Sequence, residues 1–234
     1  MNSSTRRPAK LLVAGIAMTA ALGLTACGSD DDAASGESAA STSSSSSPSF
    51  ARPEPVASLP AIPAGGSTSV ALDPAFVEAL GTLGLTPGTV GDAALEGTSV
   101  SFPITGGTVT VFDKETGYKP YVQGTLFHAG SGLSLTAGET TVELTNFTID
   151  PGTPSRLFGD VAVNGQPAVA SAPLFDLDGS TLNPPTIDGG TATLQGTEVL
   201  LSAEAAELLN STFETDALAG GLLIGIATIE VPTA

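Results

Sequence analysis

The chain is poor in the residues on which much enzymatic and nucleic-acid chemistry depends. Its 234 residues include no Trp, one Cys, one His and only seven Lys and Arg together. A lone cysteine excludes a disulfide within the chain and excludes thiolate clusters around a metal. With a lone histidine, any Ser-His-Asp hydrolase would have to work through His128. Ser131 lies close by, but Ala129-Gly130-Ser131-Gly132 is not the G-x-S-x-G turn that presents a nucleophile. The shortage of cations leaves a net charge of −17, and such a surface repels phosphate backbones, so nucleic acid is excluded as a partner. The longest apolar run, Leu11 to Leu24, has fourteen residues. As a helix it spans only ~21 Å, short of the ~30 Å bilayer core.

That run has the features of an export signal. Arg6, Arg7 and Lys10 precede it and no acidic residue does, the charge pattern of a signal peptide. Thr5-Arg6-Arg7 also matches part of a twin-arginine signal, so the export route, general secretory or twin-arginine, stays open. Leu24-Thr25-Ala26-Cys27 resembles the bacterial lipobox. The resemblance implies a signal peptide over 1–26, diacylglycerol on Cys27, and a protein anchored at the outer face of the cell membrane through that lipid. Two acyl chains hold a protein stably where one does not. After cleavage, four basic residues face 24 acidic ones, a net of −20.

Residues 27–66 lack periodicity. They hold Asp30-Asp31-Asp32, an unbroken serine run from Ser43 to Ser47, and Pro48, Pro53, Pro55, Pro60 and Pro63. Such a composition buries too little apolar surface to offset ordering entropy, and it predicts a disordered tether.

Residues 67–234 read as one β-rich domain. Thr68 to Leu72 alternates as a strand, Asp73 is an N-cap, and Pro74 opens a helix to Leu80. The device recurs as a strand at Glu198–Leu201, an N-cap at Ser202 and a helix from Ala203 to Leu209. Between them lie strand candidates at 99–104, 108–112, 121–127, 133–136, 141–149, 157–163 and 169–177. Gly106-Gly107, Gly130-Ser131-Gly132, Asp150-Pro151-Gly152 and Asn164-Gly165 are turn signals, the last the clearest hairpin. Leu222 to Val231 closes the chain as an apolar central strand. Many short strands with two short helices predict a β-sandwich or an open barrel.

The order of these segments resembles the Htaa domain of actinobacterial haem-uptake proteins. The likeness runs from about Gly65 to Val231 and rests on Phe102-Pro103-Ile104-Thr105-Gly106-Gly107, Gly130 to Leu135, Gly159-Asp160-Val161 and Phe175-Asp176-Leu177. It implies a β-rich fold with two short helices. It also implies haem held by a tyrosine on the first helix, with a histidine after a central glycine. Here the first helix has no tyrosine, and Ser131 follows Gly130. Tyr118, Tyr121 and His128 are the residues that remain to bind a ligand. Tyr118 and Tyr121, around Pro120, form either an exposed rim or part of the packed edge.

No catalytic or metal site is expected. Asp176-Leu177-Asp178-Gly179 supplies two carboxylates but lacks the other oxygen ligands of a calcium loop. The sequence therefore predicts a non-catalytic, lipid-anchored binding or scaffolding lipoprotein without cofactor, whose envelope ligand or protein partner is unknown. The alternatives are a haem-binding lipoprotein in iron acquisition and an envelope hydrolase.

Overall fold

The computed structural model describes residues 51–233. The signal peptide, Cys27 and most of the expected tether lie outside them. In chain order the elements are β1 (Ala57–Leu59), β2 (Ser67–Leu72), α1 (Pro74–Thr82), β3 (Thr86–Gly91), β4 (Ala94–Glu96), β5 (Ser99–Pro103), β6 (Gly106–Val111), β7 (Val122–Ala137), β8 (Thr140–Asp150), β9 (Arg156–Val163), β10 (Gln166–Asp178), β11 (Thr186–Asp188), β12 (Thr191–Leu201), α2 (Ala203–Phe213) and β13 (Leu223–Pro232).

All thirteen strands belong to one sheet, ordered β1-β6-β7-β8-β9-β10-β12-β13-β2-β5-β4, with β11 on β12 and β3 on β7. Of the two expected architectures, the chain takes the open one: a curled sheet with free edges at β1 and β4. Every pairing is antiparallel. As expected, β13 is central, between β12 and β2.

Both predicted caps form. The Asp73 carboxylate accepts from Ala75 N at 2.8 Å, and Pro74 opens α1. The Ser202 hydroxyl accepts from Ala205 N at 2.9 Å and donates to the Pro173 carbonyl at 2.7 Å. Leu80 of α1 and Ala205, Ala206 and Leu209 of α2 are buried in the larger of two apolar clusters. The predicted hairpin also forms: Asn164 and Gly165, both at positive φ, link β9 to β10.

Two expectations are corrected. Gly130-Ser131-Gly132 is not a turn between two strands but a bulge inside the sixteen-residue β7. Gly130 has φ +76° and the register with β8 shifts between His128 and Gly132. Similar shifts occur in β8 against β9 between Thr145 and Thr148, and in β10 between Val169 and Ala172. Each carries one residue at positive φ: Gly130, Asn146 and Ser171. Polar bonds link them across the sheet. Gly130 N donates to Asn146 Oδ1 at 3.0 Å, Asn146 Nδ2 to Asp160 Oδ2 at 2.9 Å, and Ser171 N to Asp160 Oδ1 at 3.0 Å. Bulges bend a strand and steepen its twist; here they lie side by side on neighbouring strands and curl the sheet.

The second correction concerns residues 56–66, expected within the tether. Val56 N donates to the Val111 carbonyl at 2.8 Å, β1 pairs with β6, and Ile62, 5% exposed, enters the second apolar cluster. Pro60 and Pro63 hide this segment from periodicity analysis. A proline is tolerated at a sheet edge, where one backbone N–H has no ladder partner to lose.

Candidate functional site

The concave face of the curled sheet encloses a cavity of about 290 Å³. Its walls come from strands on both sides of β7 and are overwhelmingly apolar: Val70, Val100, Phe102, Phe147 and Val199 at one end, Val109, Leu126, Ile149, Leu194 and Val231 at the other. Alternation explains why these residues point inward. In β8, Val142 and Leu144 are buried, and after Asn146 the phase slips so that Phe147 and Ile149 are buried. In β7 the same slip takes burial from Leu126 and His128 to Ser131 and Leu135. The bulges thus keep apolar side chains on the concave face through the bend.

The cavity opens between three loops that contribute Lys119, Pro120 and Tyr121, then Gly152, Thr153 and Ser155, then Gly179 and Ser180. Tyr121 stands at this mouth. Its ring lies 4.8 Å from Lys114 Nζ and 5.9 Å from Lys119 Nζ. Its hydroxyl is buried with no hydrogen-bond partner among the described residues. Burial pushes the phenol pKa up, and the Asp178 carboxylate adds to the shift. Lys114 is held in place by donating to the Leu182 carbonyl at 2.7 Å and the Ser180 carbonyl at 3.3 Å.

His128 lies at the far end and is 1% exposed. One ring nitrogen, Nε2, is 2.8 Å from the Thr68 hydroxyl. Phe102 meets the ring edge-on at 6.4 Å, and Phe102 in turn packs edge-on against Phe147. Nδ1 has no hydrogen bond of acceptable geometry. Burial pushes the imidazole down to about 4, with the Phe147 backbone opposing, so the ring is neutral at pH 7.

Of the three sequence-predicted residues, the fold brings Tyr121 and His128 to one cavity and places Tyr118 elsewhere. Tyr118 packs against Phe112 with ring centroids 4.8 Å apart, and Arg52 lies 4.7 Å over the other ring. Seven residues separate Tyr121 from His128, or ~23 Å along an extended strand. Among the described residues no cluster of His, Cys, Asp and Glu that could hold a metal ion forms around either of them.

The hydrolase alternative finds no support in this geometry. The Ser131 hydroxyl is buried and donates to the His128 carbonyl at 3.2 Å, not to the imidazole. Asp176 and Asp178 do not converge either. Asp176 pairs with Arg156 at 3.0 Å, and Asp178 caps a 3-10 turn by accepting from Ser180 N at 2.8 Å.

Sequence reading missed the lysines beside Tyr121. The signal was there: a chain with 24 acidic residues places Lys114 and Lys119 five positions apart, beside Tyr118 and Tyr121.

No known family's sequence model matches the chain, and no curated protein matches it. Among solved structures, the fold matches the C-terminal domain of HtaA from Corynebacterium glutamicum, with a TM-score of 0.50 and 13% identity over 74% of this chain and 98% of that one. Heme binding protein HtaB from the same organism superposes with a TM-score of 0.45 and 12% identity, over 74% of this chain and 94% of that one. The likeness to HtaA is one of fold, and it is the fold implied by the sequence resemblance.

Proposed function

We propose that this domain binds haem at the cavity mouth through Tyr121, as the soluble part of a lipoprotein held at the outer membrane face by lipid on Cys27. One observation carries the haem reading. The Tyr121 hydroxyl is buried, unpartnered and flanked by two lysines at the opening of an apolar cavity. A buried hydroxyl without a partner is costly, and a bound ligand removes that cost. A tyrosine oxygen is an established type of haem ligand.

The residues present fit the group. Val122, Leu157 and Leu177, the apolar lining in the same cluster as Tyr121, suit a macrocycle face, Tyr121 supplies an oxygen donor, and Lys119 supplies a cation for a carboxylate side group. Haem when bound supplies an iron centre that accepts the phenolate oxygen. The chain's own part is to hold Tyr121 at the rim, to keep water off the walls, and to release the phenol proton as the oxygen binds. The first-helix tyrosine implied by the resemblance is absent, so in this reading Tyr121 takes its role from a different element. The Htaa-like fold supports the reading, and the lipobox supports the anchor.

The test is a haemin titration of the full chain in lipid nanodiscs, followed by Soret absorbance with serum albumin as competitor. A saturable one-to-one change, lost in Tyr121→Phe and kept in Tyr118→Phe, is the expected result. No change at micromolar haemin, or equal binding by Tyr121→Phe, removes the assignment.

A further inference from the structure

The cavity continues well past its mouth. Val122, Leu126 and His128 line it along β7, so it reaches both Tyr121 and His128, which are at most ~23 Å apart along an extended strand. Leu194, Thr197 and Val199 line it along β12, and Ala227, Ile229 and Val231 along β13, so its volume of about 290 Å³ extends in the strand direction. A flat macrocycle at the rim leaves most of it unfilled. Its walls are aliphatic and aromatic, and the polar side chains at the closed end, His128 and Thr68, are bonded to each other.

Charge is distributed just as unevenly. Four Lys and Arg residues lie in the described segment. Arg156 is paired with Asp176 and Glu204. The other three gather around the segment that leads into the mouth: Arg52 over Phe112, and Lys114 and Lys119 beside Tyr121. Lys119 is exposed and lines the opening. In a chain of net charge −17 an anion is repelled nearly everywhere else.

From this combination we infer that the domain binds a long-chain fatty acid. The alkyl chain occupies the channel toward His128, and the carboxylate meets Lys119 and the Tyr121 hydroxyl at the mouth. A flexible alkyl chain suits an apolar space that extends along the strands. The anionic head explains why cations cluster where the channel opens. The inference does not depend on haem being a ligand.

The test uses the full chain in lipid nanodiscs and palmitate carrying a terminal diazirine. After illumination, labelled peptides are mapped by mass spectrometry. Labelling is expected within β12 and β13, which contribute Val199 and Ala227 to the channel wall. It should fall about tenfold in Lys119→Glu, in line with loss of a charge-assisted contact, and similarly in Ala227→Phe, which fills the channel. The matching diazirine alcohol, with the same chain and no charge, should label far less. Far-ultraviolet circular dichroism shows whether Ala227→Phe keeps the sheet, and the exposed Lys119→Glu keeps the test decisive if it does not. Labelling confined to exposed positions, or unchanged in Lys119→Glu with equal labelling by the alcohol, overturns the inference. A failed Soret titration does not bear on it.

Discussion

His128 Nε2 lies 2.8 Å from the Thr68 hydroxyl, and both residues are buried. This joins β7 to β2, strands that are not neighbours in the sheet, so the bond crosses the concave interior and ties the two arms of the curl together.

That bond has a pH dependence whose sign follows from burial. The folded imidazole titrates at about 4 and an unfolded one at about 6.5. Between these values the unfolded chain binds more protons, so stability falls as pH drops from about 6.5 toward 4 and is unaffected by this group above 6.5. The loss is on the order of 3 kcal/mol. Urea denaturation at pH 7 and pH 4.5 should show a smaller decline for His128→Gln than for the wild type. Parallel declines would mean that His128 does not titrate in this window.

The bulge network makes a second prediction. Asp160→Ala leaves Asn146 Nδ2 and Ser171 N without their acceptor. It should cost about 1–2 kcal/mol in urea denaturation, while Asp160→Asn, which keeps one acceptor, should cost less. Equal effects would mean that the bonds do not hold the bulges.

Ser202 is fully buried and both accepts from α2 and donates to the Pro173 carbonyl. Replacing it by Ala removes a cap and strands a carbonyl, for about 2 kcal/mol of stability. Asp73 caps the more exposed α1, and Asp73→Ala should cost about 1 kcal/mol. Thermal denaturation of the two variants checks the order.

Haemin affinity should rise with pH. Burial and Asp178 raise the Tyr121 pKa, so at neutral pH the phenol is protonated and must lose its proton on binding. One proton released per haem corresponds to roughly tenfold tighter binding per pH unit below the phenol pKa. A pH-independent Soret titration would point to a ligand other than Tyr121.

Anchoring makes a separate prediction. Cys27→Ser should move the chain from the membrane to the soluble fraction and abolish incorporation of labelled palmitate. Retention in the membrane would leave the lipobox reading without support.

Much of the fold was legible because it rests on local patterns. The caps at Asp73 and Ser202, the Asn164-Gly165 hairpin and the apolar strand at 223–232 each declare themselves within a few residues. The β7 bulge did not, since Gly130-Ser131-Gly132 has turn composition and only the phase of burial, Leu126 and His128 before it and Ser131 and Leu135 after it, shows that one strand continues. Of the candidate site, Tyr121 and His128 were named from the sequence because aromatic and imidazole side chains are scarce here. That they share one cavity, and that Tyr118 does not, depends on which way each side chain faces in a curled sheet.

By itself the sequence determined the composition of the domain, its β-rich class, its two capped helices and its excess negative charge, because propensity, capping and charge act over short distances. Only the tertiary structure decided that the sheet stays open and curls, that 56–66 packs into it, and that one apolar cavity reaches both Tyr121 and His128. Those outcomes depend on three aligned bulges and on pairing between strands far apart in the chain, and no local pattern encodes the register in which they meet.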